Sequence, residues 1–145
     1  TDRRQRQMCI RDSLKSNLWD CNNAKTIVIY DSSTANESYL TRIPKCVEVL
    51  KLSSDNPELV SKILAERGCN KVLWECGPKL ATAAIKSNSI QEIVTFIAPK
   101  ILGGENSMTP LGDLGFKEMN EIIKLKQTKI SLIGNDICVK SYLKK

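Results

Sequence analysis

The sequence predicts an α/β fold with a mostly parallel sheet, helices on both faces and a C-terminal antiparallel hairpin. Two observations support this prediction. Between residues 25 and 98, nearly unbroken apolar runs alternate with segments of helical periodicity, which is typical of parallel strands covered on both faces. Further along, Ile122 to Ile133 and Asp136 to Leu143 alternate apolar and polar residues around Gly134-Asn135, which indicates a hairpin.

The first half of the chain contains two predicted strands and a helix. Lys25 to Asp31 and Cys46 to Leu52 are short runs rich in β-branched residues, and turn-forming residues follow each of them. A helix is expected next, because Asn56 can cap it and Pro57 suits the first helical position. Gly68 is expected to follow the end of this helix.

The middle of the chain continues the alternation of strand and helix. A third strand is predicted at Asn70 to Cys76, and Gly77-Pro78 ends it. Lys79 to Ser87 is predicted to be a helix, because its apolar and small residues recur at helical spacing. Ile93 to Ala98 is an apolar strand, and the glycine-rich stretch 100–116 is expected to be a loop.

Composition narrows the class of protein. The chain has 145 residues, of which 41% are hydrophobic and 26% charged, so it can form a folded core. It contains no apolar run of the roughly 20 residues that a membrane helix needs and no signal peptide, so we expect a cytoplasmic protein with no membrane partner. The net charge is +6, with four arginines among the first thirteen residues. The remaining basic residues are scattered and aromatic residues are only 5%, which disfavours a nucleic-acid partner.

Histidine and cysteine usage excludes several chemistries. The chain has no histidine, which rules out Ser-His-Asp and Cys-His catalysis within it. None of its six cysteines forms a C-x-x-C pair, so we predict no metal site. We expect the cysteines to be mostly buried thiols in a reducing compartment rather than a disulfide framework.

The strongest local signal for a ligand site runs from Val72 to Ala81. The predicted strand carries Glu75 near its carboxyl end, Gly77 follows the strand, and a helix begins at once. A helix N-terminus offers unpaired N–H groups, glycine allows a phosphate to approach, and small residues keep the first turn open. The pattern alone leaves open a plain strand-to-helix turn, and Glu75 could bind a sugar or form a salt bridge. Ala98 to Gly104 is either a tight turn or a loop bordering a ligand.

Residues 1–13 differ from the rest of the chain. They lack helical or strand periodicity, no methionine precedes them, and residues 3–12 resemble the translation of a sequencing adapter. We interpret 1–13 as a non-native artefact segment, with a natural basic tail as the alternative.

Three separated motifs resemble one family. Glu75 to Ala81, Ala98 to Gly104 and Gly134 to Ile137 are similar in order and spacing to motifs of the C-terminal reductase domain of the bifunctional riboflavin-biosynthesis deaminase/reductase. The resemblance covers about Leu14 to Leu143. It implies a dihydrofolate-reductase-like fold and NADPH-dependent reduction of the ribosyl group of 5-amino-6-(5-phosphoribosylamino)uracil to the ribityl form. It also implies a homodimer when the domain is complete.

The resemblance assigns roles to individual residues. Glu75 would contact the phosphoribosyl pyrimidine substrate, and Asp31 or Ser32 would lie near the end of NADPH remote from its bound phosphates. The nicotinamide supplies the hydride, so no catalytic side chain is assigned. The residues expected to bind the cofactor phosphates are Gly77, Pro78, Lys79, Leu80, Ala81, Thr82 and Ala83.

The resemblance also has departures. Cys76 stands where glycine or alanine is commoner, and nothing before Leu14 resembles the Ser-x-Asp-Gly-Lys-like start of the family domain or its zinc deaminase partner. We therefore interpret residues 14–145 as a truncated reductase domain, possessing the fold but of uncertain activity alone. The alternatives are a reductase of another pterin- or pyrimidine-like substrate, or a non-catalytic nucleotide-binding or dimerisation module.

Overall fold

The computed structural model describes residues 16–22, 24–31, 33, 40–53, 56–101, 103–104, 107 and 109–143. The predicted artefact segment 1–13 lies outside these residues. The chain divides into two compact units, Thr1–Asp55 and Asn56–Lys145. The described elements, in chain order, are β1 (Ile27–Asp31), β2 (Glu48–Leu52), α1 (Pro57–Glu66), α2 (Pro78–Lys86), β3 (Glu92–Ile97), β4 (Leu125–Ile133) and β5 (Asp136–Leu143).

The N-terminal unit contains a parallel strand pair. β1 and β2 pair in parallel from Ile27 opposite Glu48 to Asp31 opposite Leu52, as the two β-branched runs predict. A short 3₁₀ turn at Asn17–Trp19 precedes β1. The Thr26 hydroxyl donates a hydrogen bond to the Leu18 carbonyl at 2.9 Å and so ties this turn to the start of β1.

A disulfide bond joins Cys21 and Cys46 in this unit. The expectation of mostly buried thiols is therefore wrong for these two residues, and also for Cys69, which is an exposed thiol. The reason is topological: parallel strands begin at the same edge of a sheet, so the segments that lead into β1 and β2 meet there. The Cα atoms of the two cysteines are 6.2 Å apart, within the normal range for a disulfide.

The two helices of the C-terminal unit begin at or within one residue of their predicted starts. The Asn56 side chain accepts a hydrogen bond from the Glu58 N–H at 2.9 Å and caps α1, because the first turn leaves donors unpaired. α2 begins at Pro78, one residue before the predicted start, since proline suits the first helical position. Its buried residues are Thr82, Ala84 and Ile85.

The predicted third strand, Asn70 to Cys76, is not a strand in the structure. The apolar run is present, but a strand exists only where a neighbour completes its ladder, and no described segment pairs with this one. Its side chains are correspondingly open to solvent: Leu73 is 79% exposed and Val72 38%.

The C-terminal unit also contains an antiparallel sheet in the order β3-β5-β4. β4 and β5 form the predicted hairpin, although β4 starts at Leu125 rather than Ile122. Gly134, at φ +61°, occupies the first position of the two-residue turn, where a left-handed conformation matches the twist of the strands. A bulge interrupts the β4–β5 register between Lys126 and Lys129.

No helix in the described part of the chain is a candidate membrane span. α1 has ten residues and α2 has nine, whereas a bilayer crossing needs about twenty.

Candidate functional site

The start of α2 presents backbone N–H groups. Gly77 is the N-cap, with extended backbone at φ −74° and ψ 173° and no side-chain cap. Its carbonyl accepts the Ala81 N–H at 3.0 Å, and Pro78 has no N–H to donate. By helix geometry, the N–H groups of Lys79 and Leu80 have no acceptor within the helix and are the donors available to a ligand.

The charge of this turn suits an anion. The first turn of α2 contains no acidic residue, and it carries the exposed Lys79. A cation at the positive end of the helix dipole is unfavourable by itself, and a bound anion would relieve this repulsion. Burial raises the pKa of the adjacent Cys76 thiol, so the thiol stays neutral near pH 7 and adds no negative charge.

There is also space for a ligand at this turn. A Cβ atom built on Gly77 would meet no atom within 4 Å apart from those of its own residue and its two chain neighbours. Leu80 is 41% exposed, and Ala81 is half-buried with a minimal side chain. The residues present therefore fit a phosphate-bearing group held by backbone N–H donors and one lysine.

Thr82 and Ala83 lie further along α2 than the predicted cofactor residues of its first turn. Thr82 is 8% exposed, and its hydroxyl accepts a hydrogen bond from the Gly112 N–H at 2.8 Å. The glycine-rich loop thus contacts α2 at Thr82, and sequence reasoning did not predict this contact with Gly112. The glycine content of the loop indicates that its backbone can approach another element closely, but it does not identify Thr82 as the residue that it contacts.

Glu75 and Asp31 belong to different units. Glu75 is exposed two residues before the helix cap, and the described residues include no ion pair to its carboxylate. Asp31 ends β1, and its Oδ1 accepts hydrogen bonds from the Ser33 N–H at 2.8 Å and from the Ser33 hydroxyl at 2.9 Å. Ser32 lies outside the described residues.

The segment that begins at Ala98 forms a tight turn. The Lys100 N–H donates to the Ala98 carbonyl at 2.8 Å, and Ile101 is fully exposed. The described glycines that follow, Gly103 and Gly104, have positive φ angles of 65° and 119°. The structure therefore supports the turn at this motif.

Comparison with protein-family models gives a match to "RibD C-terminal domain" over residues 2–139. Among curated proteins, the chain is 39% identical over 131 residues to "Riboflavin biosynthesis protein RibD" of Synechocystis, covering 90% of this chain and 35% of that protein. It is 37% identical over 129 residues to "Riboflavin biosynthesis protein PYRR, chloroplastic" of Arabidopsis thaliana, covering 89% and 22%. The chain therefore spans about a fifth to a third of the length of these relatives.

Solved structures share the fold. The chain superposes on Acinetobacter baumannii RibD, form 1, with a TM-score of 0.69 and 16% identity, covering 92% of this chain and 35% of that one. A pyrimidine reductase-like protein from Corynebacterium diphtheriae gives a TM-score of 0.64 at 19% identity, covering 92% and 57%. These similarities confirm the dihydrofolate-reductase-like α/β fold that the sequence resemblance implies.

Proposed function

The chain belongs to the RibD C-terminal domain family, and from this we propose that it is the reductase part of a riboflavin-biosynthesis enzyme. The proposed reaction is the NADPH-dependent reduction of the ribosyl group of 5-amino-6-(5-phosphoribosylamino)uracil to the ribityl form. The observation that supports it best is the open start of α2, whose first turn carries Lys79 and no acidic residue and which lies inside the motif that carries the family resemblance.

We propose that this turn holds the phosphates of NADPH. The N–H groups of Lys79 and Leu80 would donate to phosphate oxygens, and the Lys79 ammonium would add charge. Gly77 leaves the approach open because it has no side chain. Pro78 begins the helix, the small side chain of Ala81 leaves room for the phosphate, and Thr82 and Ala83 support the turn from further along the helix. Asp31 and Ser32 remain the proposed neighbours of the other end of the cofactor.

The chemistry places modest demands on the protein. When bound, NADPH supplies a hydride, so the chain has to bind and orient rather than provide a nucleophile. We propose that the exposed Glu75 carboxylate accepts hydrogen bonds from hydroxyl groups of the sugar-bearing substrate. A substrate role for Glu75 is compatible with its position two residues from the proposed phosphate site.

We also propose that the complete protein is a homodimer. Ile97, Ile137 and Leu132 form one row across the three strands of the antiparallel sheet, and they are 49%, 38% and 75% exposed. An apolar row of this kind is typical of an interaction surface. Sedimentation that shows only monomer at micromolar concentration would refute this part of the proposal. A cytoplasmic location also stays a prediction, although two plant relatives are named as chloroplastic.

A negatively charged side chain introduced at Gly77 tests whether this turn binds the phosphates of NADPH. In the complete protein, Gly77→Asp should weaken NADPH binding about ten-fold or more, because it replaces charge-assisted hydrogen bonds worth roughly 1.5–3 kcal/mol with repulsion. Asp is a favourable N-cap residue, so the helix itself should not be weakened. Gly77→Asn is the matched control, because it has the same size and also caps but carries no charge.

Fluorescence titration with NADPH measures the affinity of each variant. If Gly77→Asp and Gly77→Asn bind NADPH equally well, and both bind like the wild type, the turn has only a structural role and the reductase proposal loses its main support.

Glu75→Gln should separate substrate from cofactor. It should leave NADPH affinity within about two-fold of wild type and reduce turnover of the pyrimidine substrate at least ten-fold, since an amide replaces a charged acceptor. Glu66→Gln, at the exposed end of α1, is the control. If the wild-type protein binds NADPH but does not oxidise it when the pyrimidine substrate is added, the result would favour the non-catalytic nucleotide-binding module instead.

A further inference from the structure

The glycine-rich loop lies along one side of the first turns of α2. The Gly112 N–H donates to the Thr82 hydroxyl at 2.8 Å. A Cβ atom built on Gly112 would lie 3.2 Å from that hydroxyl oxygen and 3.8 Å from the Pro78 carbonyl oxygen. Residues four apart share a helix face, so the Gly112 backbone lies against the face that Pro78 and Thr82 form.

The loop around Gly112 has its own internal hydrogen bonds. The Thr109 hydroxyl donates to the Leu111 carbonyl, and the Asp113 carboxylate accepts the Gly115 N–H at 2.7 Å. Leu111 and Leu114 are half-buried, whereas the residues on either side of each are exposed. Residues 109–115 therefore have a defined local shape, and the bond to Thr82 sets where that shape lies on the helix.

We propose that Thr82 is a positioning residue, whose hydroxyl fastens the loop 109–115 beside the start of α2 so that the loop forms one side of the phosphate site. This inference rests on the proposed function, because that site is the one assigned to NADPH. Thr82 then acts through Gly112 and does not itself contact the cofactor. The burial of Thr82 fits this role, since an 8% exposed side chain that already accepts an N–H has little surface left for a ligand.

Two substitutions at Thr82 separate the hydroxyl from the shape of the side chain. Thr82→Val keeps the branched shape and removes the acceptor, whereas Thr82→Ser keeps the acceptor. Gly112→Ala tests the same contact from the loop without altering the helix, because its methyl group would press on the Thr82 hydroxyl. If the buried Thr82→Val change impairs folding, Gly112→Ala still tests whether the contact between Thr82 and Gly112 positions the loop.

Hydrogen exchange of the complete protein without ligand gives the first measurement. Loss of one neutral hydrogen bond should speed exchange of the 109–115 amides about three- to ten-fold in Thr82→Val and Gly112→Ala, while Thr82→Ser stays like wild type. Fluorescence titration with NADPH gives the second measurement. Affinity should fall by about the same factor in the first two variants and be retained in Thr82→Ser.

The two measurements distinguish failure of this inference from failure of the proposed function. Unchanged loop exchange in Thr82→Val and Gly112→Ala would overturn the positioning role. Faster exchange with unchanged NADPH affinity would overturn the placement of the loop at the site. Wild-type protein that fails to bind NADPH would refute the proposed function, and the exchange data would then still decide whether Thr82 positions the loop.

Discussion

Gln127→Gly should stabilise the antiparallel sheet. Gln127 lies in the β4 bulge with φ at +51°, where Gln127 and Thr128 together face Ser141 of β5. The Thr128 and Ser141 hydroxyls are hydrogen-bonded at 2.9 Å across the bulge. Glycine is the usual residue at the left-handed position of such a bulge, so the chain carries backbone strain at this point.

The size of the effect follows from two opposing terms. A left-handed conformation costs an L-residue about 1–2 kcal/mol, which glycine does not incur. Glycine loses about 0.5–1 kcal/mol through the greater freedom of the unfolded chain. The Gln127 side chain is exposed, so its removal costs little packing. The free energy of unfolding should therefore rise by roughly 0.75 kcal/mol, taking the midpoint of each range.

The matched control is Ser131→Gly in the same strand. Ser131 is exposed and is paired in regular register with Cys138, so glycine there should lower the free energy of unfolding by about 0.5–1 kcal/mol. Urea unfolding followed by circular dichroism, with hydrogen exchange of the β5 amides, measures both variants. If Gln127→Gly loses as much stability as Ser131→Gly, the bulge is not strained and the reasoning fails.

Two further predictions concern a covalent and an ionic contact. Cys21→Ser should lower the stability of the N-terminal unit by about 3 kcal/mol, because the disulfide closes a loop with a sequence separation of 25 residues. Reduction of the wild-type protein should give the same loss of stability. If neither change lowers the stability, the disulfide has no structural role. The Lys140 ammonium, 2.8 Å from the Glu92 carboxylate, lowers the pKa of Glu92 and has its own pKa raised. The stability from the lowered Glu92 pKa should therefore be present above about pH 4.3 and be lost as pH falls through the folded-state value. Lys140→Met should flatten this acid decline in urea midpoints measured from pH 7 to 2, and parallel curves for both proteins would contradict it.

The elements that the sequence predicts correctly are those whose determinants are local. Asn56 and Pro57 fix the start of α1 within one turn of chain, and Gly134 with Asn135 fixes the hairpin. The failures depend on partners distant in sequence. Asn70 to Cys76 has the composition of a strand, but pairing is a property of two segments. The Cys21–Cys46 bond likewise depends on the parallel arrangement of β1 and β2.

In the candidate site, too, the local features could be predicted from the sequence and the contact between distant residues could not. A phosphate site built from backbone N–H groups needs only a glycine, a helix start and small side chains in sequence, so the segment from Gly77 to Ala81 can be recognised without a structure. Burial raises the pKa of the Cys76 thiol, so this residue adds no negative charge beside the segment although it is larger than the commoner glycine or alanine. The contact between Thr82 and Gly112 spans 30 residues, and no local pattern encodes it. The sequence therefore predicts which backbone would meet the ligand, while the structure adds which side chain accepts a hydrogen bond from the neighbouring loop.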